Sequence, residues 1–390
     1  MRKLFSLTLA FLVITACGQP QAKESKEANE ADKTSFTVIH SEQSKQASFD
    51  VVQITDGLDS PWGLAFLPDG DFLITQKTGD LVRFSNADGK ITIIDGAPEA
   101  LVLGQGGLLD IVLSPNFLDD KTVFISFAEG SKKQNHTAIA KAKLVENKLI
   151  DLEIIFRANT TEKSGGGHFG SRLLFDNAGY LYASIGDGFK WLEQAQNPHN
   201  NFGTIVRLNS DGSIPNDNPF YDGKEGDPSV WSYGHRNPQG LTLHPKTGEV
   251  WQSEHGAKGG DEINIITKGN NYGWPKATFS KGYSGKTISK FTELPGMVSP
   301  ILVWTPSIAP SGLDFYVGDK FSNWNGDLFS GALRGQHLRR IELDGQTIVE
   351  QEELLNDLDL RIRDVRSGPD GFLYLLTDGG QLLRLQPAED

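Results

Sequence analysis

The sequence predicts an all-β protein folded as a six-bladed β-propeller, preceded by an N-terminal signal and a disordered tether. Three observations carry that expectation. One strand–turn–strand pattern recurs six times after residue 49, the chain holds 43 glycines suited to tight turns, and 38% of its 390 residues are hydrophobic, enough for a large core. A single all-β domain runs to roughly 200 residues and beyond, so the length demands no second domain.

Each copy of the pattern is an apolar strand, a turn of Pro, Asp, Asn or Gly, and a second apolar strand, which is a hairpin signal. In chain order the copies are GLAFLPDGDFLITQ (63–76), GLLDIVLSPNFLDDKTVFISF (107–127), SRLLFDNAGYLYASIGDG (171–188), GLTLHPKTGEVWQSEHG (240–256), GLDFYVGDKFSNWNGDLFSGAL (312–333) and DVRSGPDGFLYLLTDGG (364–380). Their starts lie roughly 45–70 residues apart, room for a four-stranded blade with its loops. β-Sandwiches also repeat hairpins, but seldom six times with this likeness. The early strand FDVVQIT (49–55) is expected to complete the last blade and close the ring. The propeller domain is therefore placed at residues 49–388.

Residues 1–17 read MRKLFSLTLAFLVITAC. Arg2 and Lys3 precede an apolar run from Leu4 to Thr15 that is too short to span a bilayer, so residues 1–17 read as an export signal. Ile14-Thr15-Ala16-Cys17 resembles a bacterial lipobox, whose cysteine is diacylated before cleavage. Cys17 is the only cysteine, which excludes disulfides within one chain and thiolate metal sites. Acyl chains would anchor the protein at about 0.8 kcal/mol per buried methylene. Gly18 lacks the aspartate associated with inner-membrane retention, which points to the outer membrane. Residues 18–48 are rich in Gln, Ala, Lys, Glu, Ser and Asn, and the stretch reads as a flexible tether.

The formal charge of −13 argues against nucleic acid, which needs a basic face. It leaves neutral small molecules open. Several segments carry more polar residues and glycines than a blade needs. In GQGG (104–107), Gln105 can both donate and accept hydrogen bonds. In GGGHFGSRL (165–173), His168 follows three glycines that let backbone approach a flat ligand. In SYGHRNPQG (232–240), Arg236 and Asn237 precede a proline that fixes an extended turn. In EHGAKGGDEINIITKGNNYGWP (254–275), Glu254, Asp261 and Glu262 with loop carbonyls form an oxygen-rich stretch of the kind calcium prefers, without EF-hand spacing. ALRG and LRIRD contribute Arg334, Arg361 and Arg363. The last two are two apart on one strand face, and three arginines in an acidic protein suggest a multiply anionic ligand.

These segments also resemble a known family. GQGGLLDIVLSPNF, GGHFGSRL, SYGHRNPQG, GGDEIN followed by GNNYGWP, SGAL and RIRDVRSGPDG, spread in order over residues 49–388, look like the soluble quinoprotein sugar dehydrogenases of the glucose/sorbosone dehydrogenase family. The resemblance implies a six-bladed propeller that binds pyrroloquinoline quinone (PQQ) and calcium (Ca2+) and oxidises aldose sugars at the anomeric carbon. It implies His168 as the catalytic base, Arg236 and Asn237 beside the quinone oxygens, and Gln105 and Tyr283 as further cofactor contacts. It implies Arg361 and Arg363 on the cofactor carboxylates, with Arg334 standing where relatives carry lysine. One calcium would meet the Gly256 and Ala257 carbonyls, where glucose-oxidising relatives have proline at the second position. A second would meet Glu262 and the backbone of Tyr272, beside Asp261.

Two other readings stand beside this one. A calcium-dependent lactonase would hold its metal with carboxylates and asparagines and has no need of converging arginines. A non-catalytic sugar- or partner-binding propeller would have no reason to keep His168, Arg236, Asn237, Arg361 and Arg363 together. The loops at 187–201 and 214–223 are expected to rim the sugar site. A monomer handing electrons to an acceptor the sequence does not name completes the expectation.

Overall fold

A computed structural model describes residues 36–388, so the signal at 1–17 and Cys17 lie outside the described residues. Six antiparallel sheets form the domain, each a blade. Blade I comprises Pro61–Phe66, Phe72–Gln76, Leu81–Phe84 and Ile91–Ile94. Blade II comprises Leu108–Leu113, Thr122–Gly130, Asn135–Val145 and Lys148–Arg157. Blade III comprises Gly170–Phe175, Leu181–Ile185, Thr204–Leu208 and Val230–Tyr233. Blade IV comprises Pro238–Leu243, Val250–Glu254, Asp261–Ile266 and Leu302–Trp304. Blade V comprises Pro310–Phe315, Leu328–Ala332, His337–Asp344 and Thr347–Leu354. Blade VI starts with Ile362–Ser367, Leu373–Thr377 and Leu382–Pro387, and takes its outer strands from the other end of the chain.

The six sequence repeats are the two inner strands of each blade. They stand out because blades stack face to face: six hydrophobic clusters fill the six blade-to-blade gaps, from Leu73 and Ile125 between blades I and II to Ile74 and Leu376 between VI and I. Strands covered on both faces read as continuous apolar runs rather than as alternation; Leu373–Thr377 is buried at every position.

The ring closes as the sequence leads one to expect. Ser48–Thr55 pairs antiparallel with Leu382–Pro387, with Val51 opposite Leu385. The tether expectation over 18–48 is corrected at its C-terminal part. Thr37–Gln43 is a fifth strand of blade VI, paired with Ser48–Thr55, so residues 36–48 belong to the folded domain. Among the described residues, no helix is long and apolar enough to cross a membrane.

One feature recurs in all six blades. The pairing between the two inner strands slips in register at the start of the innermost strand, at Pro61/Gly63, Leu108/Ile111, Gly170/Leu173, Pro238/Gly240, Pro310/Leu313 and Ile362/Asp364. Bulges of this kind re-aim side chains and cluster beside functional sites. Here they ring one end of the channel.

Candidate active site

The residues expected from sequence sit at that bulged end, just before innermost strands or just after second strands. Gln105 precedes the innermost strand of blade II, His168 that of blade III, Arg236 and Asn237 that of blade IV, and Arg361 that of blade VI. Antiparallel pairing returns the ends of the second strands to the same rim, and so delivers Lys77, Asp187, His255 and Asp378.

His168 is buried, with left-handed backbone (φ 47°). The glycines around it leave room for that conformation: a Cβ on Gly167 would stand 2.9 Å from the Phe189 Cβ, and one on Gly166 would collide with the Leu103 carbonyl. The His168 backbone N–H donates to Gln105 Oε1 at 2.7 Å. Its Nδ1 lies 2.6 Å from Asp187 Oδ1. Asp187 is itself fixed by the Phe189 N–H at 2.8 Å and, at its other oxygen, by the Trp274 indole at 2.8 Å. A carboxylate accepts, so Nδ1 carries the proton and Nε2 is left with a lone pair. Burial pushes the His168 pKa below its ordinary value; Asp187 pulls it up, while Arg236 and Lys163 push it down further. Phe189 meets the imidazole edge-on at 5.0 Å and stacks on Tyr283 at 6.3 Å.

Arg236 is buried against the loop after blade IV's second strand. Its Nη1 donates to the His255 carbonyl at 3.1 Å and the Gly256 carbonyl at 2.5 Å, and its Nη2 to the Tyr283 hydroxyl at 3.3 Å. Asn237 Oδ1 accepts from the Gly170 N–H at 3.2 Å, yet its Nδ2 is a buried donor with no partner. His255 Nε2 donates to the Pro310 carbonyl at 2.8 Å; burial, then Arg236 and His168, push its pKa down to about 3.

Beside these groups lies a cavity of about 280 Å3, lined among others by Lys77, Gln105, His255, Arg361, Arg363 and Asp378. Arg361 and Arg363 do share a face, and Asp378 is the reason they are held there. Arg361 Nε lies 3.0 Å from its Oδ2 and Arg363 Nε 2.8 Å from its Oδ1. Arg361 also donates to the Leu333 carbonyl at 2.8 Å. Arg334 is exposed, and its backbone N–H donates to the Ile308 carbonyl at 3.0 Å. It is not brought to the cavity wall.

The expected calcium ligands divide into two groups. The Gly256 carbonyl is occupied by Arg236, while the Ala257 N–H donates to Ser280 Oγ at 3.0 Å. Asp261 accepts from the N–H groups of Gly256 (2.8 Å), Ile308 (2.7 Å) and Ala309 (2.8 Å) and from Ser307 Oγ. Its oxygens anchor two loops and are not free for an ion. Glu262 faces Glu254 directly across the strand pair. Both are buried, and burial, then Glu254, push the Glu262 carboxyl well above its usual range. Asn264 donates to both carboxylates at 3.3 Å, and its own Oδ1 has no partner. The Tyr272 ring stacks on His235 at 4.6 Å, beside Glu254. Among the described residues, no cluster of three or more His, Cys, Asp or Glu side chains is arranged to hold a metal.

Sequence reasoning missed Asp187, His255, Asp378 and Lys77. Asp187 opens the loop at 187–201 that is expected to rim the sugar site, and Asp378 closes the sixth repeat in TDGG, but neither stands out in the sequence as a site residue. One rim expectation is corrected. The loop at 214–223 joins Thr204–Leu208 to Val230–Tyr233 on the outer side of blade III, where Asn218 holds Arg207 and Phe220 packs on Tyr233, and it contributes nothing to the cavity wall.

Fold and site together define a six-bladed propeller with a histidine–carboxylate pair and an arginine-lined pocket at one end of its channel. The chain belongs to the Glucose / Sorbosone dehydrogenase family, whose profile matches residues 58–384. It is 41% identical to aldose sugar dehydrogenase YliI of Escherichia coli, over 87% of this chain and 94% of that one. The solved apo-form of the soluble aldose sugar dehydrogenase from Escherichia coli superposes with a TM-score of 0.84 at 41% identity, covering 87% of this chain and 100% of that one. The PQQ-bound aldose sugar dehydrogenase of Streptomyces coelicolor follows at 29% identity and a TM-score of 0.72, covering 90% and 98%.

Proposed function

We propose that the protein is a PQQ-dependent aldose dehydrogenase that oxidises sugars at the anomeric carbon to the lactone, with His168 as general base. The observation that carries the reading is the buried His168–Asp187 pair at 2.6 Å, which feels the charge of Arg236, on a rim that also holds the unpartnered Asn237 amide.

The residues fit the cofactor. At the cavity, three cations (Lys77, Arg361 and Arg363) stand against one carboxylate, Asp378, which suits a ligand carrying several carboxylates. The Asn237 Nδ2 is a buried donor whose desolvation is otherwise uncompensated, by about 1–3 kcal/mol. Bound there, PQQ would supply the two-electron acceptor for the sugar's hydride. His168 Nε2 takes the proton of the anomeric hydroxyl, and Asp187 steadies the imidazolium that results. Arg236 is poised to stabilise negative charge on the acceptor, and Tyr283 with Phe189 forms an aromatic wall over the base.

For calcium, the Glu254–Glu262 pair with Asn264 offers the fitting donor chemistry, and Tyr272 lies close by. The Gly256 and Ala257 carbonyls fit an ion only if Arg236 releases Gly256. We read the N-terminus as that of a lipoprotein anchored through Cys17 in the bacterial cell envelope, facing the periplasm; the lipobox supports this. A non-catalytic binding propeller or a lactonase would leave the histidine–carboxylate pair without a task.

The test is reconstitution. Adding PQQ and calcium to the purified protein should produce aldose-dependent reduction of an artificial dye. Tight PQQ binding without dye reduction by any aldose would overturn the reading.

A further inference from the structure

Lys163 is buried 25 residues before the end of the third repeat and takes no part in the chemistry above. It is 2% exposed. Its ammonium has one hydrogen-bond partner, Asn135 Oδ1 at 2.6 Å, and lies 3.4 Å from the centroid of the Phe169 ring. The orientation of Asn135 is settled by its other end, since Nδ2 donates to the carbonyls of Ser131 at 2.8 Å and Gly165 at 3.0 Å. Phe169 follows His168 in the chain. The Lys163 stem packs on Gly188, the neighbour of Asp187, where an added Cβ would stand 3.3 Å from Lys163 Cγ. A buried ammonium is costly unless paired, and a neutral amide with a ring face is thin compensation. Folding tolerates that cost here beside a buried histidine–carboxylate pair of the rim.

We propose that Lys163 is a positioning residue for the base: its charge offsets Asp187, so that His168 stays unprotonated near neutrality while still held by its carboxylate. The inference rests on His168 acting as the base. The physical problem is general, because a carboxylate at 2.6 Å orients an imidazole but also raises its proton affinity. A cation behind the carboxylate removes part of that rise without loosening the hydrogen bond. The charged and titratable groups facing His168 are Asp187, Arg236, Lys163 and His255; Lys163 itself faces Asp187. Burial pushes Lys163 down to about 7, so it is still mostly protonated over the lower range in which His168 titrates. Its charge is present where it matters.

The experiment is an NMR titration of 13C-histidine-labelled protein without PQQ, in wild type, Lys163→Met and Lys163→Gln, with thermal melts as the folding control. Both variants should raise the His168 pKa by about one unit. In PQQ-loaded protein the acid limb of kcat/KM should move up by the same amount, with KM at the alkaline plateau unchanged. An unchanged His168 pKa in a folded variant overturns the proposal, whatever the activity. A raised pKa in a protein that oxidises no aldose supports the coupling and overturns the enzymatic reading instead. If neither variant folds, wild type decides: His168 should show a second inflection where Lys163 titrates, and a single inflection overturns the proposal.

Discussion

The same innermost strands carry buried charge in two places, and the two differ in how that charge is balanced. A few residues along from the rim, Arg172 of blade III is 1% exposed, with Asp110 of blade II at 3.1 Å and Asp364 of blade VI at 2.9 Å. Arg366 meets the same two carboxylates at 3.1 and 3.0 Å, and the Trp62 ring covers the Arg172 guanidinium at 4.2 Å. Each charge there faces its opposite, across three blades, although Arg172 Nη2 and Asp364 Oδ1 complete no hydrogen bond. At the rim, Asn237 Nδ2 has no partner, two arginines share the single carboxylate of Asp378, and Lys163 has only an amide and the face of Phe169. Charge matched to charge holds the ring together; valence left over at the rim is capacity for a ligand. The two clusters should therefore fail differently when broken.

The largest effect is expected at the matched cluster. Arg172→Met leaves Asp110 and Asp364 buried with only Arg366 between them, and removing one partner of such a pair costs about 3–5 kcal/mol. Urea or thermal melts should show that loss, with or without PQQ present. A variant as stable as wild type would make the channel charges dispensable and dissolve the contrast.

At the rim the expectation inverts. His168→Gln should lower kcat by about 100-fold or more while the melting temperature and PQQ binding stay near wild type. Steady-state kinetics with glucose and a dye decide it; turnover within about threefold of wild type removes His168 from the chemistry.

The Arg361→Ala, Arg363→Ala double variant sharpens the comparison, because it removes two of the three cavity cations and strips Asp378 of both its ion-pair partners. PQQ affinity, read by fluorescence quenching, should fall by about two decades or more. Arg361 is half exposed and Arg363 more enclosed, so Arg363→Ala alone should account for most of the loss. Unchanged affinity would mean that the pair serves Asp378 and the closure of blade VI rather than a ligand.

What the sequence made legible follows the same division. The six hairpins could be read because stacking buries both faces of the inner strands, so their apolar runs survive without knowledge of the neighbours. Thr37–Gln43 could not be read as a strand. It is mostly exposed and polar, held by edge pairing and by outlying contacts such as Gln46 to Glu342 at 2.6 Å, and a test for buried apolar area passes over it. His168, Arg236 and Arg363 were visible as residue types out of place in a blade. Their partners Asp187 and Asp378 were not, since an aspartate beside glycine is an ordinary turn residue until the fold brings a histidine or two arginines to it. Asp261 misled in the opposite sense: a carboxylate in an acidic run reads as a cation ligand, and only the folded loops reveal the amides it accepts from.

The smallest effect is expected at Arg334, where sequence and structure pull apart most. By resemblance it occupies a lysine position of the cofactor site; in the structure it is exposed, and its hydrogen bond is made by the backbone. An exposed cation beyond hydrogen-bond reach acts through solvent-screened attraction alone, typically under about 1 kcal/mol. Arg334→Lys keeps the charge and should change PQQ affinity by less than about threefold, whereas Arg334→Glu, which reverses it, should weaken binding by about tenfold at low salt and less at high salt. The salt series carries the discrimination. If Arg334→Lys alone costs tenfold or more regardless of ionic strength, the guanidinium must close on a carboxylate in the loaded protein, and the rim then gathers a third arginine that the unliganded arrangement keeps outside it.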